Sequence, residues 1–251
     1  IGVAMGGRGT DVAREASSIV LLDDDFGSIV KAVRLGRRIF DNLQKAMGFI
    51  VAVHVPIAGL ALLPLVTGLP ILFGPVHIAF LEMIIDPVCT LVYEAESEEG
   101  DIMARPPRAP DAPLFSRYLI AWSVMQGAFV FLLVAGIYIG ALRFGMPEAE
   151  ARALVFFSMV LSTIGLVFVN RSFSVSPLVS ITRPNRAPLR VMLAVAGMLA
   201  LTIVWPLMMN LFRFGPLHLD DLTLAAGAGV VVLLALASLK LYFMLVPSIG
   251  S

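Results

Sequence analysis

The sequence predicts a mainly α-helical membrane bundle of six spans, preceded by the edge of an α/β domain. Three observations carry this. Of 251 residues, 59% are hydrophobic and only 14% charged, with a mean hydropathy of +0.92. A soluble domain is nearer 45–50% apolar and about 25% charged. Six apolar stretches each approach the roughly 20 residues that a bilayer crossing needs. The first 43 residues break that pattern, alternating short apolar runs with glycine and acidic turns.

Taken in order, Ile1–Met5 reads as a short strand, GGRG at Gly6–Gly9 as a turn, and Thr10–Asp11 as a helix start. Ser18–Leu22 is a second apolar strand, and the alternation suits the edge of an α/β domain. GGRG matches neither the GxGxxG nor the P-loop spacing, so it is a weak phosphate signal. From Gly27 to Lys45, Ile29, Val30, Val33, Ile39 and Phe40 fall at helical spacing among Lys31, Arg34, Arg37 and Arg38. This is a basic amphipathic helix leading into the first span.

The spans are expected at 46–66, 72–93, 119–142, 153–170, 189–212 and 222–246. The first two are joined by the tight turn Thr67–Pro70 and should form a hairpin. Segment 1–45 carries seven Lys and Arg, and the 94–117 and 171–188 loops carry Arg105, Arg108, Arg117, Arg171, Arg183 and Arg186. The opposite loops carry only Arg143, Arg152 and Arg213. The positive-inside rule then puts the N-terminal soluble part and the C-terminus in the cytoplasm, with a bacterial plasma (inner) membrane as the expected location. Arg105–Pro113, RPPRAPDAP, reads as a stiff connector. A formal net charge of zero leaves no basic footprint for nucleic acid. The single Cys89 excludes an internal disulfide and a cysteine-based zinc site. The first residue is Ile, inside a strand pattern, so the chain is expected to be a fragment lacking its N-terminal part.

The chemistry concentrates in Val76–Glu96. Glu82 and Asp86 lie in the middle of an apolar span, where an acid costs roughly 2.5–3.5 kcal/mol on insertion scales. Their i, i+4 spacing puts them on one helical face, about 40° apart. Pro87 cannot donate to the carbonyl of Met83, which leaves that oxygen free beside them. Two carboxylates and a carbonyl suit a hard cation, and acids satisfied by neighbouring helices are the alternative. Two like charges on one face also favour protonation of one of them, so a cation binding there would displace a proton. His54, mid-span in the preceding helix and two residues before Pro56, is either a third ligand or a packed histidine. His77, near the far interface, reads as structural. Asn170, Ser158, Ser162 and Thr163 read as helix-packing groups with some ligand potential. Glu94 and Glu96, with Glu98, Glu99 and Asp101, form either a solvated acidic loop or an access funnel for cations.

Three stretches together resemble the C-terminal part of a type II, calcium-pump-like P-type ATPase. They are Ile1–Asn42 (with GTDVAREAS, LLDDDF and DN), the intramembrane Asp86, and Asp101–Arg108, DIMARPPR. The resemblance is dense over about the first 117 residues, and the last four spans fit by number and length. It implies that residues 1–26 close a HAD-like phosphorylation domain and 27–45 form the stalk. By the same resemblance 46–93 are the cation-site hairpin, 94–117 a cytoplasmic loop and 118–251 a four-helix membrane domain. The spans would be the fifth to tenth helices of a ten-helix pump. The DKTGT, TGES and GDGxNDxP motifs would lie in the missing N-terminal part of the same pump, so Mg-ATP would bind there and this chain alone would not hydrolyse ATP. The implied function is ATP-driven export of a divalent cation such as calcium with proton counter-transport, in a lipid bilayer. An ATP-independent cation transporter or channel, or a non-catalytic remnant of a pump, are the alternatives. Asp86 matches the family's central acid of the sixth helix. Glu82 stands at an Asn ligand position, Ile85 at a Thr, His54 at an Asn and Ile57 at a Glu. One carboxylate has in effect moved from the fifth helix to the sixth.

Overall fold

The structure, a computed structural model, describes residues 1–109, 113–173 and 185–245. Arg183, positions 110–112 of the proline-rich connector and the end of the sixth expected span at 246 lie outside the described residues. The chain divides into two compact units, Ile1–Asp41 with Glu98–Pro110 and Asn42–Ser97 with Asp111–Ser251.

In the first unit, β1 (Val3–Met5) and β2 (Ile19–Leu21) pair in parallel through α1 (Asp11–Ala16), with Ala4 opposite Val20. The Thr10 hydroxyl accepts the Ala13 N–H at 3.2 Å and caps α1. Gly9 is required by contact, because a Cβ there would lie 2.1 Å from the Met5 carbonyl oxygen. GGRG wraps an acid of the same unit rather than a phosphate. The Gly7 N–H donates to Asp24 Oδ1 at 2.8 Å, and the Arg8 guanidinium reaches both the Asp24 carbonyl and its carboxylate. Asp24 itself takes a left-handed conformation, φ 53°. The Ser28 hydroxyl donates to Asp23 and holds that carboxyl below the usual range.

Helix α2 runs unbroken from Gly27 to Thr67. The expected stalk and first span are therefore one element of 41 residues, with Gly27–Asp41 in the first unit. There the DIMARPPR stretch is clamped to the helix. Arg37 donates to the carbonyls of Ile102 and Arg105 at 2.7 Å each, and Arg105 forks onto Asp41 at 3.2 and 2.5 Å. The Arg108 guanidinium lies 4.0 Å from the Phe40 ring centre.

The second unit holds the spans: the rest of α2, α3 (Pro75–Pro87) continuing as a π-helical segment Val88–Tyr93, α4 (Arg117–Arg143) and α5 (Glu148–Asn170). These are followed by α6 (Ala187–Val204), α7 (Pro206–Phe212) and α8 (Leu219–Leu245). Among the described residues six helices are long and apolar enough to cross a membrane. The fifth expected span, 189–212, is broken at Trp205, since Pro206 has no N–H to continue the ladder. Helix α5 is the axis of the bundle: 83% of its apolar window is buried, against 28–44% for the others. It meets α8 backbone to backbone, because a Cβ on Gly229 would lie 2.8 Å from the Leu161 carbonyl oxygen.

The end of the bundle bearing the α2–α3 turn is tied by carbonyl contacts. Arg152 donates to Ile71, Leu72 and Arg213 carbonyls at 3.0–3.1 Å, and the Tyr138 hydroxyl donates to Pro70. His77 is buried among Phe73, Phe156, Phe212 and Phe214. Its Nδ1 accepts the Gly74 N–H and its Nε2–H donates to the Phe212 carbonyl at 2.9 Å, a joint with both nitrogens used.

Candidate cation site

The hairpin meets at His54 and Glu82, where Nε2 lies 3.4 Å from Oε1. The other ring nitrogen, Nδ1, is 2.8 Å from the Ile50 carbonyl oxygen, one turn back on α2. A carbonyl only accepts, so Nδ1 carries the proton, and in the neutral ring Nε2 is the unprotonated nitrogen. Both side chains remain open: His54 is 48% and Glu82 41% exposed. Asp86, one turn on, is also exposed. Three groups expected as ligands thus share an uncovered face of the hairpin. They do not form a closed cage, since among the described residues no three His, Cys, Asp or Glu side chains converge as a metal-holding group.

Two proline effects differ in outcome. Pro56 leaves the Ala52 carbonyl without its N–H partner, but Gly127 of α4 closes on that oxygen, where a Cβ would lie 2.5 Å away. Helix packing therefore takes up this carbonyl, and buried Ala52 contributes nothing to the open face. Pro87 ends the regular part of α3, and the next residues take the π form. The Thr90 hydroxyl donates to the Asp86 carbonyl at 2.9 Å inside that segment. Cys89, free and half-buried, stands three residues after Asp86 and seven after Glu82. Ile57 and Ile85, at positions the resemblance aligns with ligands, are packed in the apolar core.

The access funnel expected at Glu94 and Glu96 is corrected by half. Glu94 is exposed, but Glu96 is completely buried and is no open mouth for ions. Its carboxylate receives Arg171 in a fork at 3.0 and 3.2 Å, and the Asn185 amide at 3.0 Å. The Asn42 amide of α2 donates to the Glu96 carbonyl at 2.9 Å. A charged pair excluded from water persists because each charge has a partner, and the fork satisfies both oxygens. Sequence reasoning counted Arg171 only as a topology marker. The polar residues of α5 behave as packing groups: Ser158 and Thr163 donate to carbonyls of their own helix, and Asn170 pairs with Gln126 of α4. Ser162 is buried, with no hydrogen-bond partner for its hydroxyl among the described residues.

Residues 70–242 match the family model described as "Cation transporting ATPase, C-terminus". A calcium-transporting ATPase of Bacillus subtilis is 34% identical over 174 residues, covering 68% of this chain and 19% of that protein. A probable cation-transporting ATPase F of Mycobacterium tuberculosis is 35% identical over 168 residues, 64% of this chain and 18% of its own length. The sodium/potassium-transporting ATPase subunit alpha-3 of Gallus gallus is 43% identical over 112 residues, 44% of this chain and 11% of the relative. The chain thus spans about a fifth or less of the relatives it matches.

Proposed function

The chain belongs to the family of cation-transporting ATPase C-termini, and on that premise we propose that it is the membrane part of an ATP-driven pump whose cation crosses at the Glu82–Asp86 face. One observation carries the reading: three ionisable side chains, His54, Glu82 and Asp86, stand exposed on the flank of helices apolar enough to span a bilayer. Such groups are not left against lipid. Another protein element must cover them, and a face that two protein bodies close between them is where an ion can be enclosed and released. The helices of a longer pump of which this chain would be a part are the proposed cover. That the matched segments make up only 19% and 11% of two such relatives supports that assignment.

The domain assignments follow the same reading. Residues 1–26 would end a phosphorylation domain, 27–45 form the stalk, 46–93 the cation hairpin, 94–117 the cytoplasmic loop and 118–251 the supporting membrane domain. ATP with magnesium would supply the phosphoryl group in the rest of the protein. This chain's own residues would do the rest. Asp41 and His54 lie on the same helix, α2, and in this reading displacement of its first turns would move His54 against Glu82. The Gln126–Asn170 pair and the buried α5 would hold the remaining spans as the fixed wall. Glu82 and Asp86 would exchange a proton for the cation, which gives proton counter-transport. The soluble part and the C-terminus would face the cytoplasm of a bacterial plasma membrane. Calcium as cargo draws support from the name of the Bacillus subtilis relative.

The test is phosphorylation from ATP in the full-length protein. Asp86→Asn should abolish cation-dependent phosphoenzyme, and Glu82→Gln should shift its half-saturating cation concentration upward about tenfold or more. Normal cation dependence in Asp86→Asn would refute the site.

A further inference from the structure

We infer that the groove between α4, α5 and α8 holds a phospholipid with an ethanolamine-type headgroup, an acyl chain lying along α4 and the headgroup held by Arg143 and Glu150. This goes beyond the cation site and uses none of its residues. The groove has a volume of about 740 Å3 and is lined by α4 between Leu132 and Phe144, by Glu150 and Leu154 of α5 and by Leu224 of α8. Two glycines open it. A Cβ on Gly136 or Gly140 would meet no heavy atom within 4 Å, so the α4 backbone faces empty space where a larger residue would stand. At the two ends Leu132 is 68% and Phe144 95% exposed. On helices apolar enough to span a bilayer, such a surface is covered by acyl chains or by another helix.

Length separates the two. At 1.5 Å per residue, Leu132 to Phe144 covers about 18 Å, whereas the hydrocarbon core is about 30 Å thick. The groove is therefore about one leaflet deep. It closes because α4 and α8 come together toward the other end of the bundle, where the Trp122 and Phe243 rings meet edge to face at 6.0 Å. A spanning partner helix needs a seat through both leaflets. An acyl chain needs one.

The open end supplies the headgroup chemistry. Arg143, the last residue of α4, lies seven residues after Gly136, which returns it to within about 20° of that glycine's face. Glu150, in the first turn of α5, lines the groove itself. Among the described residues neither side chain has an ion pair or a hydrogen bond to another. Arg152, the next cation at that end, is already committed to three carbonyls. A free cation and a free anion at one mouth match a phosphate and a primary ammonium. The guanidinium can fork onto phosphate oxygens, and the carboxylate can accept the ammonium N–H groups. A quaternary choline has no N–H to donate, and an anionic glycerol headgroup brings no cation to Glu150.

The experiment uses the purified full-length protein, stripped of lipid in detergent and offered dioleoyl phosphatidylethanolamine, phosphatidylcholine or phosphatidylglycerol, with bound lipid counted by native mass spectrometry. Phosphatidylethanolamine should be retained about fivefold more than either of the others, the upper end for one partly solvated charge pair. Glu150→Gln should bring it to within about twofold of phosphatidylcholine. Gly140→Leu fills the groove from a position facing open space and should remove the preference while the protein stays folded. Independently of any variant, phosphatidylethanolamine with a diazirine near the end of its chain should crosslink to wild-type protein between Leu132 and Phe144 or at Leu224. That map keeps the test decisive even if a variant does not fold. Equal retention of the three lipids means ordinary surrounding lipid only and overturns the inference. So does a preference that survives both Glu150→Gln and Gly140→Leu, or a crosslink map that avoids the groove. A photo-crosslinking residue in place of Leu132 that captures a spanning helix in native membranes, rather than lipid, overturns it as well.

Discussion

Replacing Arg171 by Met should be among the most damaging single changes in the membrane unit. Arg171 is 1% exposed and Glu96 is fully buried. At 3.0 Å and an effective dielectric near 20, their attraction is roughly 5 kcal/mol, set against a desolvation cost of several kcal/mol per ion. The net worth of the pair is therefore small, but the loss of one partner is not, because the other charge stays buried. Such breaks cost about 3–5 kcal/mol. Asn185 still donates to Glu96 Oε2 in the variant, while Oε1 loses its Arg171 donor, which places the expected loss near 3 kcal/mol. The double variant Arg171→Met/Glu96→Leu removes both charges and should return to within about 1 kcal/mol of wild type. Unfolding of the full-length protein in mixed micelles titrated with denaturing detergent measures both, and the two singles with the double complete a coupling cycle. If Arg171→Met alone lies within 1 kcal/mol of wild type, the carboxylate of Glu96 is not desolvated and the argument fails.

Three further outcomes follow from close contacts. Gly127→Val puts a Cβ about 2.5 Å from the Ala52 carbonyl and 2.6 Å from Val55 Cβ, so it should destabilise the α2–α4 contact by about 1–3 kcal/mol in the same assay. Gly229→Val should do likewise at the α5–α8 crossing, where the Leu161 carbonyl is 2.8 Å from the new Cβ. Asp41→Ala removes the acceptor of the Arg105 fork. It should cost about 1 kcal/mol, since Arg105 is partly solvated, and should speed tryptic cleavage after Arg108, because the bond after Arg105 leads into Pro106 and resists trypsin. Unchanged cleavage would mean that the fork does not hold that stretch.

Much of this architecture was legible locally. Hydropathy located all six spans, the apolar runs flanking GGRG located both strands, and the i, i+4 spacing put Glu82 and Asp86 on one face. Those signals depend on a residue and its near neighbours. What escaped depends on partners far along the chain. Arg171 and Glu96 are 75 residues apart, and nothing in the periodicity of either segment distinguishes a buried ion pair from two solvated charges. Glu96 escapes for that reason, since an acid in an acidic loop looks solvated or open to ions until its cation is known. The break at Trp205 had a signal in Pro206 that the apolar count overrode. The tautomer of His54 needed the helix geometry that brings Ile50 beneath it.

The π-helical segment also sets where this span tolerates a change of length. Each residue added to or removed from a regular helix turns everything beyond it by about 100°. A deletion between Val76 and Asp86 would swing Glu82 or Asp86 away from His54 or misplace Glu96 against Arg171. Within Val88–Tyr93 the wider turn already holds an extra residue relative to α geometry. Deleting one residue there would let the turn relax to the α form, with Glu82 and Asp86 fixed on one side and the Glu96 clasp on the other still in phase. Among homologues, single-residue length differences in this helix should therefore fall between Val88 and Tyr93, and the segment is the joint at which the ion-facing half of the span and its anchored half can drift apart in sequence without losing register.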